Sequence, residues 1–133
     1  MSAETQTGTV SKASLWGGRI LSGLVTLALL ASGAMKFIPP DENSMKELER
    51  IGWSSELVKT LGVVEIVCAI LYIVPQTSVL GAILVTGYFG GAIATHVRIG
   101  DPFVVQAIIG VLAWLGLFLR DPRIRALIPW NDF

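Results

Sequence analysis

Four apolar stretches, each close to the length a helix needs to cross a bilayer, constrain this chain more than any other feature. A spanning helix takes about 20 mostly apolar residues, with roughly 17–25 as the working range. The first stretch runs from Gly18 to Ile38 and stops at Pro39-Pro40, and the second runs from Leu57 to Val74 and stops at Pro75. The third runs from Ser78 to Val97, and the fourth from Phe103 to Leu119, closed by Arg120, Asp121 and Pro122. Proline marks such ends because it cannot donate to the helical ladder and restrains the residue before it. The connections at 75–77 and 98–102 are short, which makes the joined helices antiparallel neighbours. The expected fold is all-α: an antiparallel four-transmembrane-helix bundle, formed by a single domain over residues 15–129. Residues 1–14 are polar and small with no apolar periodicity, and are expected as a disordered tail. Residues 130–133 are expected as a short C-terminal tail. A cleaved signal peptide ending near Ala31-Ser32-Gly33-Ala34 is the alternative for the first stretch. The long polar lead and the Lys36 that follows weigh against it.

Composition narrows the functional classes. Hydrophobic residues make up 53% of the chain and charged residues 15%, against about 25% charged in soluble domains. Ten basic and ten acidic residues balance, with no basic block or basic–aromatic stripe, so a nucleic-acid surface is not indicated. The single cysteine, Cys68, excludes an internal disulfide and a CxxC redox centre. The single histidine, His96, argues against a multi-histidine haem or zinc site within one subunit, and no metal site is expected.

Between the first two stretches, residues 39–56 read PPDENSMKELERIGWSSE. Ser44 and Glu47 have capping-box spacing, and Met45, Leu48 and Ile51 recur at helical spacing. This predicts a short amphipathic interfacial helix with Trp53 as its anchor; an ordinary solvated connector is the plainer reading. Four spans put both termini on one side. The Lys and Arg count is five on each side, but Lys46 and Arg50 lie among Asp41, Glu42, Glu47 and Glu49. The compact cluster Arg120, Arg123 and Arg125 therefore favours both termini in the cytoplasm, in a multi-pass protein of the cell membrane.

The second stretch contains Glu65. A carboxylate in hydrocarbon costs several kcal/mol unless it is paired, protonated or facing a wet cavity, so it marks a site by default. Depth can be counted at about 1.5 Å per residue. On that count Lys36, Glu65, His96, Arg98 and Gln106 all fall in the half of the bilayer next to the 39–56 loop. Lys36 or Arg98 is expected to pair with Glu65, and the five residues to form one polar pocket for ligand binding or proton relay. Plainer roles compete: Lys36 and Arg98 can snorkel to the headgroups, His96 can bond within the bundle, and Glu65 can serve a structural ion pair. Cys68 and Tyr72 share a helix face with Glu65 and are expected to pack. Gly87, Gly90, Gly91 and Ala94 supply small residues for close helix packing on the third stretch, or for a face between two copies.

Several short motifs in order carry a resemblance. GAMKF at 33–37, GVVEI at 62–66, VPQTSVLGA at 74–82, GGAIATHVR at 90–98 and LRDPRIRALIP at 119–129 together resemble the DoxX-like family of small four-helix membrane proteins. The family's recurring lysine, glutamate and histidine match Lys36, Glu65 and His96. The resemblance implies a protein of the bacterial inner membrane. The family takes its name from a subunit of a membrane thiosulfate:quinone oxidoreductase. Some relatives join membrane complexes that handle oxidative or thiol stress, and more distant ones act as membrane chaperones.

Three functions follow as expectations. The first is a non-catalytic subunit of a quinone-linked membrane redox complex, its polar pocket holding a quinone head group or small anion. The second is a membrane chaperone or structural scaffold, with the ion pair fixing helix register. The third is a small proton-coupled transporter with Glu65 as the coupling group, for which four spans without an internal repeat are few. A lipid bilayer, a redox partner subunit and a second copy of the chain are the expected partners. Quinone is the one cofactor class considered.

Overall fold

The computed structural model describes residues 10–127, and these form six helices with no strand. They are α1 (Lys12–Met35), α2 (Glu42–Ile51), α3 (Ser55–Ile73), α4 (Ser78–Arg98), α5 (Val104–Arg120) and α6 (Pro122–Leu127). The expected tail over 1–14 and that over 130–133 lie largely outside the described residues. Within them, however, α1 begins inside the expected N-terminal tail. Ser11 caps it, accepting from the Ser14 amide at 3.2 Å, and satisfying one of the amides that a helix start leaves free.

The four long helices pack in a ring: α1 contacts α3 and α5, and α4 contacts the same two. Glycines set the close approaches. The backbone of Gly18 lies against Gly116 and Arg120, Gly33 against Gly62, and Gly81 against the backbone of Leu71 and Tyr72. The start of α1 therefore meets the end of α5, and the end of α1 meets the start of α3. The small-residue packing expected of Gly87, Gly90 and Gly91 is not seen within the chain, because a Cβ at any of the three would meet no atom within 4 Å. These residues face outward on α4, so helical phase assigns the close contacts to other glycines.

The interior mixes polar with apolar side chains, and many large apolar side chains face outward. Ser22, Thr26, Glu65 and Ser78 are buried, whereas Ile20, Leu24 and Leu27 of α1 and Val105, Ile108 and Val111 of α5 are at least half exposed. The apolar core is small, centred on Leu29, Tyr72, Val85 and Leu117. Threonines inside the helices return their hydroxyls to the preceding turn, Thr26 to the Ser22 carbonyl and Thr86 to that of Ala82, both at 2.8 Å. Such internal satisfaction is what a bilayer demands of polar groups. Helices α1 and α4 are long and apolar enough to cross a membrane. Helix α5 is apolar but has 17 residues, and α3 carries Glu56, Lys59 and Glu65.

Helix α2 forms where the amphipathic pattern predicts, but its cap is Asp41 rather than Ser44. The Asp41 side chain accepts from the Ser44 amide at 2.7 Å, so Ser44 and Glu47 lie inside the helix. The helix ends at Gly52, whose φ of 87° suits a residue without a Cβ. There the Trp53 amide bonds to the Leu48 carbonyl and the Gly52 amide to that of Glu49, the paired closure typical of such an end. Trp53 is half-buried at this corner. Helix α6 was not expected: Pro122 reads as a stop after α5, yet proline is tolerated in a helix's first turn, and here it starts a new one.

The Asp41 cap yields a pH prediction. The amide bond from Ser44 holds the Asp41 carboxyl below its ordinary value of 3.8. A carboxyl lowered in the folded state contributes stability above its unfolded value and loses it as pH falls through the folded one. The Ser44 amide resonance should therefore titrate with a midpoint below 3.8, and Asp41→Asn should abolish that titration while keeping the cap. A midpoint at or above the ordinary value would mean that the cap does not form.

Candidate functional site

Glu65 sits in the middle of α3 with 2% of its surface exposed. Its carboxylate is met from two other helices. Lys36, at the C-terminal end of α1, places Nζ 2.7 Å from Oε2, and the Tyr88 hydroxyl of α4 donates to the same oxygen at 3.1 Å. Lys36 reaches inward because its stem folds back along α1, where Nζ also donates to Ser32 Oγ at 3.0 Å and, more weakly, to the Ser32 carbonyl at 3.4 Å. The three ammonium donors are thus all engaged, and the buried negative charge has one compensating cation. Three helices are tied through one carboxylate oxygen.

The remaining expected residues do not join this network. Tyr88 marks the level of Glu65 on α4. His96 and Arg98 lie eight and ten residues further along the same helix, or about 12 and 15 Å at 1.5 Å per residue. That distance breaks up the single five-residue pocket expected from depth alone. His96 Nδ1 lies 2.7 Å from the Ala92 carbonyl, and its Nε2 lies 3.4 Å from Gln106 Nε2 on α5. These partners put the ring proton on Nδ1 and leave Nε2 to accept from the Gln106 amide. Gln106 Oε1 is buried without a partner. Arg98 does not pair with Glu65: its guanidinium donates to the carbonyl of Ile51 at the end of α2. Beside it Arg50 of α2 bridges Glu47 and Asp101, and these two carboxylates hold its guanidinium well above the usual arginine value. Arg98 and Arg50 thereby strap α2 to the connection between α4 and α5.

A cavity of about 720 Å³ opens between the end of α1, α2 and the start of α3. Ser32 and Lys36 belong to its lining, with Met35, Ile38 and Val58 as apolar wall and Asp41, Glu47 and Lys59 among its polar residues. Lys36 is therefore shared between the buried ion pair and this cavity, and 22% of its side chain is exposed. No group of His, Cys, Asp and Glu that could hold a metal occurs among the described residues.

Two members of the network escaped sequence reasoning. Ser32 stands four residues before Lys36, on the same helix face, and that spacing was the available signal. Tyr88 is not among the residues expected at the site, yet it bonds to Glu65. A phenol in an apolar helix needs a partner for its hydroxyl, and this requirement could have placed it opposite Glu65. Tyr72, expected to pack, is fully buried and also bonded: its hydroxyl donates to the Ala113 carbonyl at 2.6 Å and shares a bond with Ser22 Oγ at 3.1 Å.

No curated protein and no solved structure matches the chain. The family model that does match spans residues 20–118, which takes in Lys36, Glu65, Tyr88 and His96 together with the helices that position them. By that match over most of its length the chain belongs to the DoxX-like family.

Proposed function

We propose that the protein is a four-span integral membrane protein, its long helices antiparallel and both termini cytoplasmic, acting as a non-catalytic subunit of a quinone-linked redox complex. The observation that carries the site assignment is the position of Lys36, which holds Glu65 and also lines the cavity beneath α2. Exposed apolar flanks on α1, α3, α4 and α5 support burial in lipid. A quinone carbonyl would take the ammonium donor now spent on the long Ser32 carbonyl contact, and the ring and tail would lie against Met35, Ile38 and Val58. Cys68 is the sole cysteine and His96 the sole histidine, which leaves the electron transfer to a partner subunit.

Titration of the purified protein in nanodiscs with a short-chain quinone tests this reading. Saturable binding is expected, together with a loss of roughly tenfold or more when Val58→Trp fills the cavity. Absence of saturable binding, or equal binding by Val58→Trp, would remove the assignment. A scaffold reading has one observation in its favour: all three donors of Lys36 are already satisfied. It predicts no quinone binding and is separated further by the double substitution in the Discussion.

A further inference from the structure

At the end of the molecule opposite α2, a second cavity of about 250 Å³ lies among the first turns of α1, the α3–α4 turn and the α5–α6 junction. Arg19, Arg120, Arg123, Asp121 and Ser78 line it, while Leu15, Pro75 and Leu117 supply apolar wall. Its charge balance is one-sided. Lys12, Arg19, Arg120, Arg123 and Arg125 occupy this end, and Asp121 is the one acidic residue there among the described residues.

The arginines are not all consumed by structure. Arg123 is held by Asp121, with Nη2 at 2.8 Å and Nε at 3.1 Å. That contact also neutralises the one carboxylate that would repel an anion, and it holds the Asp121 carboxyl below its ordinary value. Arg125 is spent on the Phe118 carbonyl and Ser14. Arg120 donates through Nη2 to the Tyr72 carbonyl at 2.7 Å and lies over the Tyr72 ring, yet its Nε is buried without an acceptor. Arg19 stacks on Trp16 and makes no ion pair among the described residues. A buried guanidinium N–H without an acceptor is costly, and Arg19 and Arg120 both line this cavity, where guanidinium donors suit an oxyanion.

We propose that this cavity is a phosphate-recognition site, in which Arg19 and Arg120 bind the phosphate of an anionic lipid headgroup or free phosphate. Basic pockets at the cytoplasmic ends of membrane helices suit such headgroups. The apolar wall from Leu15, Pro75 and Leu117 fits the glycerol side of a lipid. The site shares no residue with the cavity beneath α2, so it stands or falls independently of quinone binding.

The experiment is a titration of delipidated full-length protein in neutral detergent. One arm uses short-chain phosphatidylglycerol, a second inorganic phosphate and a third short-chain phosphatidylcholine, each compared with Arg19→Gln, Arg123→Gln, Arg120→Gln and, as a charge-matched control, Lys46→Gln on exposed α2. Saturable binding of phosphatidylglycerol, or of phosphate alone, is expected, weakened roughly tenfold by Arg19→Gln and unchanged by Lys46→Gln. A response to phosphate alone assigns the free anion, and one confined to phosphatidylglycerol assigns the lipid. Should Arg120→Gln fail to fold through loss of its Tyr72 contact, Arg19→Gln decides. Equal affinity in Arg19→Gln and Lys46→Gln, no saturable binding of phosphatidylglycerol or of inorganic phosphate, or equal binding of zwitterionic phosphatidylcholine and phosphatidylglycerol overturns the proposal.

Discussion

Lys36→Met is expected to destabilise the protein by about 3–5 kcal/mol, the usual consequence of removing one partner from a buried ion pair. Glu65 is 3% exposed at its side chain and lies 2.7 Å from Lys36 Nζ, so the substitution strands a carboxylate with only the Tyr88 hydroxyl to answer it. Equilibrium unfolding in mixed micelles measures the loss. The double substitution Lys36→Met with Glu65→Leu is expected to recover most of it, since an apolar replacement of a buried pair is often neutral or stabilising by about 1–4 kcal/mol. That recovery is also the functional test. If the pair only fixes the helices, the double variant keeps every activity that the host assigns to the protein. If Lys36 serves a ligand in the cavity beneath α2, the double variant folds and fails. A double variant less stable than Lys36→Met alone would contradict the assignment of the ion pair as the main contact between these side chains.

The reach of sequence reasoning differed between helix and site for physical reasons. Hydropathy located the four long helices because each has to bury or shed a continuous apolar face, and their observed ends lie within a few residues of the expected ones, except at the start of α1. There Ser11 and Lys12 carry no apolar pattern, and the helix starts on the bonds that Ser11 accepts from the Ser14 and Leu15 amides. In the sequence the capping-box spacing of Ser44 and Glu47 masks the Asp41 cap, whereas the chain leaves Pro40 in time for Asp41 to cap first. At the site, the cost of an unpaired charge in hydrocarbon pointed to Glu65 and Lys36. Counting depth alone then grouped His96 and Arg98 with them, although both lie more than two helical turns beyond Tyr88. Sharing one half of the bilayer, about 15 Å of depth, is too coarse a criterion for side-chain contact, and facing around the helix, which a single sequence constrains less well, decides the rest.

The same distinction between depth and facing sets up the second large effect. Gly81→Ala is expected to cost about 1–3 kcal/mol or more, as overpacking does when neighbours cannot move aside. An added Cβ would stand 2.3 Å from the Tyr72 amide nitrogen and 2.4 Å from its Cα, which are backbone atoms of α3 and have no rotamer to change. The hairpin of α3 and α4 would have to open, carrying Tyr72 away from the Ala113 carbonyl and from Ser22. Gly87→Ala on the same helix meets nothing within 4 Å and is expected to be neutral or to stabilise by about 0.5–1 kcal/mol, the usual gain from replacing glycine in a helix. Unfolding of the two variants in detergent, compared at equal protein concentration, measures the contrast. Equal stability would mean that α3 and α4 do not approach at Gly81. A loss confined to Gly87→Ala that shrinks on dilution would instead place a second copy of the chain against the outer face of α4. The glycines that close this protein are thus separable by experiment from those that leave its surface open.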